Sequence, residues 1–174
     1  GAFTDVTAHS GTGLDGWNMG VTFADYDSDG DPDLYLTRWG RDALLANRGD
    51  GTFTDITAAA ALGSQGWGVG AAFADYDSDG DLDLYVANDG HPNSLWRNDG
   101  NRFVDTALAT GTAFSGDGRP QASMGVALAD YDNDLQVDIF VTNFAQDYNT
   151  LYRNEGHGFF ADVSGRTGLS GSSR

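Results

Sequence analysis

An internal repeat sets the limits on what this chain can fold into. Residues 23–35 read FADYDSDGDPDLY and residues 73–85 read FADYDSDGDLDLY, identical at 12 of 13 positions. Residues 128–140 read LADYDNDLQVDIF. A second element follows each acidic block: ALLAN from Ala43, SLWRN from Ser94 and TLYRN from Thr150. A third follows in turn, with FTDIT from Phe53, FVDTA from Phe103 and FADVS from Phe160, and an extra copy, FTDVT, starts at Phe3. The period is 50 residues between the first two blocks and 55 between the second and third, the extra five falling in a Gly-rich loop around residues 114–120. The single repeat domain, 1–174, therefore divides into a leading strand at 1–7, units at about 8–57, 58–107 and 108–164, and a tail at 165–174.

Within a unit the signal has period two. Trp17, Met19, Val21 and Phe23 alternate with Asn18, Gly20, Thr22 and Ala24, and unit 2 repeats this as Trp67, Val69, Ala71 and Phe73 against small residues. Alternation of this kind marks a strand with a bulky face and a small face. Three further strand-like runs follow in each unit, separated by Gly, Asp and Asn turns. Four short strands per unit predict an all-β protein of β-propeller-type four-stranded antiparallel blades, three in number. Composition agrees. Of 26 acidic residues only Glu155 is not Asp, there is no Lys, and Gly numbers 25. Helical surfaces are built from Glu, Lys, Gln and Arg, whereas Gly and Asp are turn residues. The first-strand tryptophans, Trp17 and Trp67, recur in phase and are expected in the core; Trp39, in an unmatched loop, is the better candidate for an exposed sugar-stacking surface.

The acidic blocks carry the chemistry. Asp25, Asp27, Asp29 and Asp33 fit D-x-D-x-D-G-x-x-D with Gly30 in sixth place, and Asp75, Asp77, Asp79 and Asp83 fit it again with Gly80. Asp130, Asp132, Asp134 and Asp138 keep the acids, but Leu135 replaces the glycine. Each loop offers four carboxylates and a position-seven main-chain carbonyl, from Asp31, Asp81 and Gln136. An all-oxygen set of this kind suits Ca²⁺, a hard cation that takes six to eight oxygens. A solvated acidic turn explains one such match well, but explains three matches at one phase of a repeat poorly. The EF-hand reading fails because its bidentate Glu at position twelve is replaced by Leu36, Val86 and Val141. Three Ca²⁺ sites are expected, with the third weakest, since a Leu in a left-handed turn position is strained.

These motifs (F-x-D-V-T, A-D-Y-D-x-D-G-D-x-D-L-Y and L-Y-R-N-x-G) resemble the FG-GAP/VCBS repeats of integrin-α-type propellers and of proteins of the cartilage-acidic-protein type. The resemblance covers nearly the whole chain. It implies that the acidic loop joins the first and second strands of each blade and holds Ca²⁺. It implies no particular ligand or reaction, and such propellers close with more than three blades.

Other classes are excluded or set aside. The formal charge of −17 leaves nothing to neutralise phosphates, so nucleic acid is excluded. No apolar run reaches membrane-spanning length, and with no Cys there is neither a disulfide scaffold nor a thiolate metal site. Arg48-Gly49-Asp50 spells an integrin-recognition tripeptide but stands where the repeat needs a turn. His9, His91 and His157 are isolated loop residues. There is no G-x-S-x-G elbow or P-loop. The expectation is a secreted or cell-surface, non-catalytic, calcium-stabilised module for adhesion, assembly or ligand presentation. A filament subunit and the propeller portion of a carbohydrate-active enzyme are the alternatives. Its partners would be other copies of itself or further blades of a longer chain, with a protein or glycan ligand. A start at Gly1 without Met suggests a processed or trimmed piece.

Overall fold

In the computed structural model, which describes residues 1–63, 66–144 and 146–169, each repeat forms one four-stranded antiparallel sheet with its strands in chain order. The first sheet is β1 (Asn18–Ala24), β2 (Asp33–Arg38), β3 (Ala43–Asn47) and β4 (Phe53–Asp55). The second is β5 (Gly68–Ala74), β6 (Asp83–Asn88), β7 (Ser94–Asn98) and β8 (Phe103–Asp105). The third is β9 (Ser123–Ala129), β10 (Asp138–Asn143), β11 (Thr150–Asn154) and β12 (Phe160–Asp162). Arg48-Gly49-Asp50 lies in the turn from β3 to β4, where the Arg48 amide donates to the Thr52 carbonyl and Gly49 and Gly51 take positive φ.

The sheets stack in sequence order through their first strands, β1 on β5 and β5 on β9. The approach is close enough to require glycine. A Cβ on Gly20 would lie 2.4 Å from the Val69 carbonyl oxygen, and one on Gly70 would lie 2.3 Å from that of Met124. The small faces of β1 and β5 thus receive the backbone of the next sheet.

The core lies between sheets. Tyr26, Tyr35, Leu44, Leu84, Val86, Trp96 and Phe103 are buried between the first and second, with Phe73 meeting Tyr35 edge-on at 6.3 Å. Tyr76, Tyr85, Leu95, Ile139, Val141, Tyr152 and Phe160 are buried between the second and third. A third, smaller cluster in the first sheet is Leu34, Ala43 and Leu45, with Leu14, Leu36 and Phe53 packed against it.

Two expectations are corrected. The leading segment is not a strand. Residues 1–6 have no secondary structure and Phe3 is fully exposed, because no described strand lies alongside them. The segment runs instead into a short helix, α1 (Thr7–Ser10), matched after later fourth strands by α2 (Ala107–Thr110) and α3 (Ser164–Thr167). Nor are Trp17 and Trp67 core residues. Trp17 is 78% exposed, since no sheet among the described residues lies against the bulky face of β1. Trp67 is partly exposed and stacks on Trp39 at 4.3 Å. Trp39 is exposed, as its unmatched loop suggested. No helix among the described residues is long and apolar enough to cross a membrane.

Candidate metal centres

Each acidic loop joins the first strand of its sheet to the second, and its own carboxylates set its shape. Asp25 accepts from the amides of Asp29 and Gly30, both at 3.0 Å, and Asp29 accepts from Asp31 at 2.9 Å. Asp33 closes the loop. One oxygen takes the Tyr26 amide at 3.2 Å and the other reaches across to the Asn47 amide of β3 at 2.8 Å. The second loop repeats this with Asp75, Asp79 and Asp83. The third repeats it with Asp130, Asp134 and Asp138.

This scaffold brings carboxylate oxygens together in all three loops. Asp25, Asp27 and Asp29 place one oxygen each within 4.8 Å of one another, as do Asp75, Asp77 and Asp83, and Asp130, Asp132 and Asp138. Asp33, Asp79 and Asp134 lie beside these groups, joined to them through the loop's hydrogen bonds. The side chains of Asp31, Asp81 and Gln136 are in no cluster. Their amides donate to the fifth-position Asp, and a carboxylate oxygen of Asp31 lies 2.5 Å from where a Gly49 Cβ would stand. Any part they take in holding an ion falls to their main-chain carbonyls.

The electrostatics are those of crowded acids. Burial, then the neighbouring acids Asp79 and Asp75, hold Asp77 above the ordinary carboxylate range. Asp27 is raised in the same way by burial and Asp29. Burial raises Asp33 and Asp138, and pushes Asp83 up to about 7. One oxygen of Asp77 is buried without a hydrogen-bond partner among the described residues. A buried, unpaired carboxylate oxygen inside a cluster of carboxylates is costly unless a cation sits against it. The all-oxygen donor set fits a hard divalent cation and gives no ligand to a soft one.

Leu135 occupies the turn position as expected. Its φ is 71°, against 97° for Gly30 and 98° for Gly80, and its amide donates to Asp130 as the glycines donate to Asp25 and Asp75. Its side chain is exposed and so recovers no packing for the strain. Leu135→Gly is expected to raise stability by about 1 kcal/mol, the left-handed penalty of a residue with a Cβ. A thermal unfolding curve shifted downward would contradict this.

Sequence reasoning missed the part played by the last residue of each third strand. The Asn98 side-chain amide donates to the Tyr26 carbonyl, inside the acidic loop of the preceding sheet, at 3.1 Å. Asn154 donates to the Tyr76 carbonyl at 2.9 Å. Aromatic pairs accompany them, Tyr26 with Phe103 and Tyr76 with Phe160. The first and second loops are thus each held partly by the following repeat. The recurring Asn was the available signal, but nothing local says that it reaches another unit.

Comparison with known proteins places these features. A model of the FG-GAP-like repeat matches residues 25–86 and 75–141, more than half of the 174 residues. No curated protein sequence matches significantly. A similar solved structure is that of an Agrocybe aegerita lectin, described for its specific recognition of non-reducing terminal N-acetylglucosamine. The TM-score is 0.53 at 21% identity, over 83% of this chain and 38% of the lectin's length. At that identity the likeness is one of fold.

Proposed function

Because the chain belongs to the FG-GAP-like repeat family, we propose that it is a calcium-stabilised, propeller-type binding module of the extracellular space, serving adhesion, assembly or ligand presentation rather than catalysis. The observation that carries this reading is the threefold recurrence of an oxygen-only cluster at one place in the repeat, one of them with a buried unpaired oxygen. Asp25, Asp27, Asp29 and Asp33 would hold the first ion, Asp75, Asp77, Asp79 and Asp83 the second, and Asp130, Asp132, Asp134 and Asp138 the third. The carbonyls of Asp31, Asp81 and Gln136 would complete the sets. Bound Ca²⁺ supplies positive charge that lets the carboxylates ionise together. Three ions, at two charges each, bring the formal charge from −17 to −11. The family's usual extracellular setting, where calcium is plentiful, supports the location. The lectin's architecture favours a glycan as the ligand.

The two outer sheets support the assembly reading. Val21 and Phe23 of β1 are 60% and 61% exposed, whereas Phe73, at the equivalent place in β5, is covered. At the other end Tyr131 is 43% exposed, while Tyr26 and Tyr76 are each 5% exposed beneath the next repeat. One end therefore offers a bulky first-strand face, and the other a loop tyrosine of the kind that the fourth-strand phenylalanine of a following repeat packs against. Further blades, or a second copy joined head to tail, would close both. Sedimentation with and without Ca²⁺ tests this: species larger than a monomer are expected with calcium. A monodisperse monomer at high concentration in both conditions would refute the assembly.

A further inference from the structure

The contact between neighbouring repeats occurs twice inside the chain, and each half of it recurs on an outer sheet. One half is a small-face glycine, a loop tyrosine and the turn that follows the fourth strand. The other half is a first-strand carbonyl, the asparagine that ends the third strand and the phenylalanine that opens the fourth. Between the second and third sheets Gly70 faces the Met124 carbonyl, Tyr76 packs on Phe160, and Asn154 donates to the Tyr76 carbonyl. Gly111, which closes α2, completes the contact, since a Cβ there would lie 3.0 Å from the Phe160 carbonyl oxygen. Between the first and second sheets Gly20, Val69, Tyr26, Phe103 and Asn98 play the same parts.

The third sheet carries the first half unused. Among the described residues a Cβ on Gly125 would meet no backbone within 4 Å, unlike one on Gly20 or Gly70. Gly168 closes α3 at φ 81°, as Gly111 closes α2 at 86°, but nothing described lies within 4 Å of its Cβ position. Phe140 stands where Tyr35 and Tyr85 stand; those two are each 1% exposed, whereas Phe140 is only partly buried. The first sheet carries the other half unused. Met19 precedes Gly20 as Val69 and Met124 precede Gly70 and Gly125. Phe53 is partly buried, while its counterparts Phe103 and Phe160 are buried. Asn47 Nδ2 donates to the Pro32 carbonyl alone, whereas Asn98 and Asn154 also reach a carbonyl of the preceding sheet.

One socket on the first sheet is already taken by the chain itself. Gly11 closes α1 at φ 76°, and a Cβ there would lie 2.7 Å from the Phe53 carbonyl oxygen, the contact that Gly111 makes with Phe160. The segment around α1 is built like that around α3. The Thr7 amide donates to Asp5 as the Ser164 amide donates to Asp162, with Val6 and Val163 between. The leading segment is thus seated where the α3 of a docking copy would have to lie. It is held by little, since residues 1–9 are exposed and Ser10 is the buried residue of α1.

We propose that the third sheet of one copy docks on the first sheet of another, and that α1 competes with this contact. In the docked pair Gly125 receives the Met19 carbonyl, Tyr131 meets Phe53, and Asn47 donates to the Tyr131 carbonyl. Gly168 replaces the partner's own Gly11 at Phe53. A second copy is the occupant because it supplies every one of these groups in the order that the two internal contacts use. An unrelated apolar surface would cover Trp17 and Phe23 but would offer nothing to Asn47. The tethered helix holds the socket in dilute solution, and the second copy takes it as concentration rises. This rests on the assembly reading above and deepens it.

The test is sedimentation equilibrium of the full chain in Ca²⁺ over a range of concentrations. Gly11→Val drives a branched side chain at the Phe53 carbonyl and expels α1. It is expected to tighten self-association by about tenfold or more, as removal of a competing state does. Ser10→Arg expels α1 by a second route and decides if Gly11→Val does not fold. Gly125→Ala is expected to weaken association by about a hundredfold, because its methyl would meet the Met19 carbonyl of the partner. Melting curves of the dilute variants should stay close to that of the parent, which separates docking from folding. Larger species that Gly125→Ala leaves intact overturn this contact while the assembly reading stands, and so does unchanged association once α1 is expelled. A chain that stays monomeric at high concentration, with α1 in place or expelled, overturns both and leaves the two faces to a different partner.

Discussion

Stripping calcium from the chain is expected to lower its melting temperature by roughly 15–30 °C. An ion bound with Kd of about 10 μM, at about 1 mM free Ca²⁺, stabilises the folded state by about 2.7 kcal/mol. Three such ions would supply about 8 kcal/mol, and in a chain of this size each 1 kcal/mol moves the midpoint by about 2–4 °C. The direction follows from the clusters themselves. Without a cation, Asp77 keeps a buried unpaired oxygen, and burial holds Asp83 near 7, so neutral pH leaves charge and repulsion in the second loop. The loops are also tied to neighbouring sheets through Asn98 and Asn154, so loosening one loop weakens the contact beyond it. Unfolding followed by circular dichroism in calcium and in excess chelator measures the effect. Superimposable curves would contradict it.

The second large effect is steric. Gly70→Ala is expected to destabilise the chain by about 3 kcal/mol, the upper end of the cost of overpacking a tight contact. The new methyl would meet the Met124 carbonyl oxygen at 2.3 Å, and that oxygen belongs to backbone that cannot swing aside. Gly20→Ala meets the Val69 carbonyl at 2.4 Å and should behave alike. Gly125→Ala is the control. It stands at the same place in the third sheet, where a Cβ would meet only the Thr142 hydroxyl, at 2.9 Å, a side chain that can turn. Denaturant midpoints should therefore fall sharply for the first two and little for the third. Equal losses at Gly70 and Gly125 would show that backbone approach between sheets is not what demands the glycine.

Much of this was legible in the residues because the repeat states each signal three times. Alternation along residues 17–24 and 67–74 marked the first strands, and the Asx-rich turn at Asp25 to Asp33 marked the loop after them. Even the positive φ of Leu135 followed from its phase against Gly30 and Gly80. What stayed hidden depends on neighbours. The FTDVT copy at Phe3 reads as a strand, yet a strand needs a partner alongside, and residues 1–6 have none among the described residues. Trp17 reads as core because Trp67 shares its phase, but burial there depends on a preceding sheet. The cross-repeat bonds of Asn98 and Asn154 span 72 and 78 residues, far beyond any local pattern.

The central claim, that the acidic loops are calcium sites, is tested most directly by counting ions. Chelator-stripped chain titrated with Ca²⁺ in a calorimeter should take up three ions, the weakest in the loop of Leu135. Asp77→Asn should abolish or greatly weaken one of the other two. Uptake of no calcium, or three ions bound as before in Asp77→Asn, would contradict the account.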